Sequence, residues 1–309
     1  MRILMVGAGA IGGYFGCRLV ESGRDVTFLV RQKRKEQLEE RGLVIQSVNG
    51  DSTVQPALLV AGEEAPPFDV IMLSPKAYHL EDVINDIAPY VGGEDTMIIP
   101  LLNGIAHMQP LQEHFGAEKV LGGLCFIETT LSTDGDIVQT SKAHRLVFGE
   151  WNGGTSERVE RLYEYVKGAN ASFELSHNIQ REAWQKYLFI TMLSGITTLM
   201  NSAVGPIRDS PFGIELTKQV TEECVRVMMA VGAPISADIV DRVMETFKQQ
   251  GYKMKSSMLR DMEKRLPIEG EHLQGYLLHL AEQQGIETPM LRIVYNNVRI
   301  YEQKRQSTF

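Results

Sequence analysis

A glycine-spaced turn near the start, a basic run after it and a lysine set among apolar residues far downstream are the groups whose types and spacing could do chemistry. Gly7-Ala8-Gly9-Ala10-Ile11-Gly12 follows the apolar run Arg2–Val6 and leads into a helical pattern carrying Leu19 and Val20. Strand, glycine turn and helix in that order make a phosphate cradle. Gly7 permits the tight turn, Gly9 lets the backbone approach a pyrophosphate, and Gly12 lets the helix pack closely on the strand. The helix start offers free N–H groups and a positive dipole end. Residues Gly7–Gly12 are therefore expected to bind a dinucleotide.

The second strand is expected over Asp25–Val30, after the break at Ser22-Gly23. Folds selective for NAD carry an Asp or Glu about 20 residues past the glycines, on the ribose 2′-OH. Here Arg31 stands in that place, followed by Gln32, Lys33, Arg34 and Lys35, with no acid before Glu36. A guanidinium pairs bidentately with phosphate, so the expected cofactor is NADPH, with its 2′-phosphate on Arg31. The same run would also serve as a solvated basic loop.

Lys186 lies among Trp184, Tyr187, Leu188, Ile190, Met192 and Leu193. Such a lysine either snorkels to water or stays partly desolvated, where its pKa falls and it can donate a proton near neutral pH. A further cluster runs over Lys255–Met262 and Leu266–Gly270. Pro267 ends one helix and Glu269 stands near the start of the next, where a carboxylate complements the dipole or caps the turn. Ser256 and Ser257 read equally well as helix caps.

These groups need elements to hold them. Leu43–Ser47 and Ser52–Val60 flank Asn49-Gly50, a strong hairpin signal. Phe68–Leu73, Thr96–Pro100, Val120–Phe126 and Arg145–Phe148 read as strands, with a turn at Asp134-Gly135. Helical patterns at Leu80–Ala88 and Met108–Phe115 alternate with them. This predicts an α/β fold, a Rossmann-type doubly wound parallel sheet. Ligands of such sheets sit at the carboxyl ends of strands. Arg31, Lys76 and Asn103 each lie just past a strand end and are expected to rim the cofactor. From His177 the texture becomes helical, with segments over Asn178–Met200, Ile214–Val231, Ala237–Gln249, Glu271–Gln284 and Met290–Lys304. The expected division is an NADP-binding domain over 1–176 and an all-helical substrate and catalytic domain over 177–309.

The 309-residue length suits two domains, and 43% hydrophobic with 23% charged residues is ordinary for a globular chain. A net charge of −8 argues against nucleic-acid or membrane-surface partners. No apolar stretch of about 18 residues predicts a membrane span, and the glycine turn interrupts the apolar start where a signal peptide would run. Cys17, Cys125 and Cys224 lie far apart with no metal-ligand spacing, so no metal is expected and each reads as a small buried apolar residue. The expected compartment is the cytoplasm.

GAGAIG at residues 7–12, Ser74-Pro75-Lys76-Ala77-Tyr78, Asn103-Gly104, Trp184-Gln185-Lys186, Ser257-Met258-Leu259-Arg260-Asp261 and Glu269 occur here in a specific order and spacing. Along essentially its whole length the chain resembles the ketopantoate reductase family, the 2-dehydropantoate 2-reductases. The resemblance implies NADPH in a cleft between a Rossmann domain and a helical domain. It implies that Lys186 matches the family's catalytic lysine and Glu269 its ribose-contacting glutamate, the pair counted here as catalytic. Lys76 and Asn103 match cofactor and active-site positions, and Ser257 a substrate-carboxylate contact. The implied reaction is reduction of 2-dehydropantoate to pantoate, a step of pantothenate biosynthesis. Hydride passes to the C2 ketone and Lys186 acts as general acid.

The chain departs from the family where typical members carry substrate-holding asparagines, four and eight residues after the lysine and three before the Ser-Met serine. Here these positions are Ile190, Ser194 and Met254. Ser194 is expected to contact substrate in their stead, with Thr197, Thr198, Asn201 and Ser256 as further substitutes. Loss of amide partners weakens discrimination for a hydroxylated substrate. The alternatives are therefore a reductase for a different, more apolar 2-oxo acid, and a non-catalytic NADPH-binding module that senses redox state. The long apolar helices within residues 178–231 offer a homodimer interface.

Overall fold

The run Arg2–Val6 forms strand β1, and Ile3, Leu4, Met5 and Val6 are all buried, as an apolar strand covered on both faces must be. The computed structural model describes residues 1–93 and 95–307. β1 passes through the glycine turn into helix α1 (Ala10–Glu21), β2 (Asp25–Leu29) and α2 (Gln32–Arg41). Next come β3 (Leu43–Ser47), β4 (Ser52–Val54), β5 (Ala57–Leu59), β6 (Val70–Leu73), α3 (Leu80–Ile87), β7 (Met97–Pro100) and α4 (Met108–Phe115). β8 (Gly122–Leu131), β9 (Ile137–Gly149), α5 (Glu157–Val166) and β10 (Ser172–Leu175) follow.

One sheet is parallel, with five strands in the order β5-β2-β1-β6-β7. Side chains alternate across it. Ile3 and Met5 join a core with Phe15 and Leu19 of α1 and with Ile45, Ile137 and Phe148. Leu4 and Val6 join another with Val83 and Ile87 of α3 and Met108 and Leu111 of α4. Helices thus cover both faces, and the fold is the Rossmann-type α/β architecture expected.

A second sheet, in the order β10-β9-β3-β4 with β8 also on β9, changes two readings. Ser52–Val60 is not one strand. Pro56 lacks the N–H a ladder needs, and the chain leaves β4 paired antiparallel to β3 and crosses to the edge of the parallel sheet as β5. β8 and β9 do not extend the parallel sheet either. They pair antiparallel with each other about Asp134-Gly135, and β9 lies parallel to β3 and β10. The basic run after Arg31 is the first turn of α2 rather than a loop.

The helical part comprises α6 (Ile179–Leu199), α7 (Val204–Asp209), α8 (Gly213–Ala230), α9 (Ile239–Gln249), α10 (Ser257–Glu263), a π-helical turn over Glu271–Gly275, α11 (Tyr276–Gln283) and α12 (Pro289–Gln306). α8 packs against α7, α9, α11 and α12. Its buried Glu223 accepts hydrogen bonds from the N–H groups of Met290 (3.2 Å) and Leu291 (2.9 Å), donors that the first turn of α12 leaves without helical partners. The chain divides into two compact units, Met1–Leu102 with His107–Gln180, and Asn103–Ala106 with the chain from Arg181 onward. The chain passes from the first unit to the second at Gln180/Arg181, and Asn103–Ala106 goes with the second unit. No helix among the described residues is long and apolar enough to cross a membrane.

Candidate active site

In the first unit the three glycines have three distinct reasons to be glycine. Gly7 has φ +93°, a left-handed conformation that a side chain disfavours, and its N–H donates to Leu29 O at 2.9 Å. Gly12 has no room for a Cβ, which would collide with Ser74 Oγ and Gly7 O. Gly9 is the opposite case, with nothing within 4 Å of a Cβ built on it. It caps α1 without a side-chain acceptor, and the first turn of α1, Ala10-Ile11-Gly12, carries no acid. An open approach, free helix-start donors and no opposing carboxylate fit a dinucleotide pyrophosphate. Ser74, quoted in a motif but given no task by sequence reasoning, fastens the turn. Its Oγ donates to Val6 O (2.8 Å) and Gly7 O (3.2 Å).

Arg31 is exposed at the N-cap of α2, with Nη2 3.4 Å from His79 Nδ1. No acid stands in the first turn of α2. Lys76 is half-buried just past β6, and its carbonyl accepts from His79 N–H at 3.0 Å as a short 3₁₀ turn begins. Arg34, one turn beyond Arg31, was passed over within the basic run. It donates through Nη2 to Ala8 O, inside the glycine turn, at 3.1 Å.

In the second unit the predicted residues sit around one backbone position. Lys186 is half-buried on α6, and the phenol of its neighbour Tyr187 donates to Leu273 O at 2.6 Å. Leu273 N–H donates to Glu269 O at 3.0 Å. Gly104, next to Asn103, has φ +85°, and a Cβ there would lie 3.0 Å from Leu273 Cδ2 and 3.3 Å from His272 Cδ2. The immediate neighbours of Lys186, Glu269 and Asn103 therefore meet at the π-helical turn, a widened geometry that recurs at functional sites. Burial holds the His272 imidazole below the usual histidine range, and the Glu269 charge only partly opposes this.

The residues expected to replace the missing asparagines are differently placed. Ser194 is 4% exposed; its Oγ accepts from Gln274 Nε2 at 2.7 Å and is 3.4 Å from Thr191 O as a donor. Gln274 is fully buried and also donates to Thr191 O at 2.9 Å. Thr197 Oγ1 and Ser256 Oγ share a hydrogen bond of 2.8 Å, and Ser256 caps α10 by accepting from Leu259 N–H. Thr198 Oγ1 donates to Ser194 O at 2.7 Å. Asn201 and Ser257 are exposed, and Ile190 and Met254 are half-buried. Tyr187, Gln274 and His272 escaped sequence reasoning because nothing local distinguishes them; the partners of Tyr187 and Gln274 lie on other elements.

Residues 3–153 match the family model described as Ketopantoate reductase PanE/ApbA, and residues 178–302 match the model of its C-terminal part. The chain belongs to the ketopantoate reductase family. An uncharacterized oxidoreductase of Bacillus subtilis, YkpB, is 45% identical over 305 residues, covering 99% of this chain and 100% of that one. The crystal structure of 2-dehydropantoate 2-reductase from Geobacter metallireducens is similar at a TM-score of 0.87 and 28% identity, covering 97% of this chain and 99% of that one. D-mandelate dehydrogenase, in a ternary structure with NADH and anilino(oxo)acetate, shares the fold at a TM-score of 0.88 and 18% identity, with 99% of each chain covered. As a ketopantoate reductase family member the protein is an oxidoreductase dependent on a nicotinamide dinucleotide.

Proposed function

We propose that this ketopantoate reductase family member uses NADPH to reduce the C2 ketone of a 2-oxo acid, with 2-dehydropantoate as the leading substrate. The observation that carries the reading is the meeting of the neighbours of Lys186, Glu269 and Asn103 at Leu273. Three polar side chains far apart in sequence share one support. When bound, the reduced nicotinamide supplies hydride. The chain's own residues do the rest. The glycine turn and the start of α1 bind the pyrophosphate, Arg31 takes the 2′-phosphate, and Lys76, Asn103 and Glu269 orient the cofactor. Lys186 stabilises the charge that builds on the ketone oxygen and donates the proton there, and Ser257 holds the substrate carboxylate.

A second reading, a more apolar 2-oxo acid, is favoured by the engaged hydroxyls of Ser194, Thr197 and Ser256. These groups were the candidates to replace the missing amides, and Ile190 and Met254 offer hydrocarbon instead. The test is a panel of 2-oxo acids with NADPH and with NADH, followed by dinucleotide absorbance. The leading reading expects the highest kcat/KM for 2-dehydropantoate with NADPH. A branched 2-oxo acid without a hydroxyl that outperforms it would replace it by the apolar reading. Tight NADPH binding with no turnover on any oxo acid would leave the binding-module alternative.

A further inference from the structure

The basic run of α2 is not uniform. Lys35 is paired with Glu63 at 2.7 Å, and Arg41 with Asp136 at 3.4 Å. Arg34 is half-buried, yet among the described residues it has no ion-pair partner. Burial lowers its pKa, and the Asp136 charge, not in ion-pair contact with it, only partly opposes this. Its fork is instead spent on backbone. Nη2 donates to Ala8 O in the glycine turn (3.1 Å) and to Gly135 O in the β8–β9 turn (3.0 Å), while Nη1 donates to Gln37 Oε1 (2.6 Å). Gln37 in turn donates to Asp134 O at 2.5 Å, and Arg41 to the same carbonyl at 2.9 Å. Gly135 has φ +81°, and a Cβ there would lie 2.6 Å from Arg34 Nη1.

We propose that Arg34 is a positioning residue of the dinucleotide site, fastening the glycine turn to the β8–β9 turn so that the second sheet supplies part of the cofactor rim. The planar fork does this, because Nη2 reaches two carbonyls from different segments while Nη1 holds Gln37, a two-nitrogen geometry that the single ammonium of lysine does not reproduce. Arg34 acts on the turn that both dinucleotides share, whereas Arg31 acts on the 2′-phosphate. The inference rests on Gly7–Gly12 being the pyrophosphate site.

The experiment measures Kd for NADPH and NADH by cofactor fluorescence in the full chain, in Arg34→Gln, Arg34→Lys and Arg31→Asp, with amide hydrogen exchange on the cofactor-free proteins. Both Arg34 variants should bind each dinucleotide about tenfold more weakly, leaving the NADPH-to-NADH ratio within about twofold, as expected for loss of hydrogen bonds from a charged group. Exchange should rise at residues 8–12 and 132–136 and stay unchanged in the other strands. If Arg34→Gln does not fold, Gly135→Ala breaks the same fastening from the hairpin side and should give the same pattern. Wild-type binding in Arg34→Lys, or in every Arg34 variant, would overturn the proposal. So would a change of ratio as large as that of Arg31→Asp, which would make Arg34 a phosphate ligand. A wild-type protein that binds neither dinucleotide would remove the parent reading as well.

Discussion

Lys186 is one half-buried ammonium among many lysines, and what separates it from them is its neighbour. Tyr187 is fully buried, its phenol fixed on Leu273 O, so the backbone that carries Lys186 is held from inside. Lys186→Ala should therefore lower kcat by at least about two orders of magnitude, the usual weight of a general acid, while NADPH Kd changes little. Steady-state turnover together with fluorescence titration checks this, and unchanged turnover would remove the lysine from the mechanism. Arg31 gives a separate test. Arg31→Asp places a carboxylate where a 2′-phosphate would sit, so NADPH should weaken far more than NADH, and equal losses would sink the assignment. At this scale the sequence spoke clearly wherever a residue type has few uses. Gly7 and Gly12 were legible because left-handed backbone and close packing leave glycine almost alone. Ser194 was not, since its burial against Gln274 depends on a helix many residues away.

Elements turn those residues into a site, and two of them are open to direct test. Tyr187→Phe removes the phenol's hydrogen bond to Leu273 O, which keeps the Tyr276 N–H as a donor, and should cost about 0.5–1.5 kcal/mol of stability. If the bond also orients α6, kcat should fall with little change in NADPH Kd; a stability loss with unaltered kcat would reduce Tyr187 to packing alone. Gly12→Ala should abolish NADPH binding, because its Cβ collides with Ser74 Oγ and Gly7 O. Retained affinity would show that α1 need not pack so closely. The long helices were legible from apolar spacing, since α6, α8 and α12 each bury one or more faces against neighbours. The π-helical turn was not, because an extra residue per turn leaves the composition of Glu271–Gly275 unchanged. The second sheet was hidden for a related reason. β3 and the apolar stretches of β8 and β9 read as strands, and only long-range pairing decides which sheet takes them.

Across the whole chain, two half-buried histidines in different units have surroundings that disfavour their charged forms. Burial, helped by the Arg18 guanidinium, holds His144 below the usual histidine range, and its Nδ1 lies 2.8 Å from Tyr14 OH. Burial does the same to His272, against the partial opposition of Glu269. A histidine whose folded pKa is depressed binds fewer protons folded than unfolded at mildly acid pH. Its contribution is fully present above the unfolded value of about 6.5 and is lost as pH falls from there through the folded pKa. Tm should thus be flat from about pH 7 to 8 and decline below about pH 6.5. His272→Gln should shallow that decline while leaving the neutral-pH Tm within a few degrees. His144→Gln should act in the same direction. Thermal melts from pH 5 to 8 test this. A wild-type Tm that holds constant to pH 5, or variants that follow the wild-type slope, would mean that neither imidazole is kept neutral by the fold.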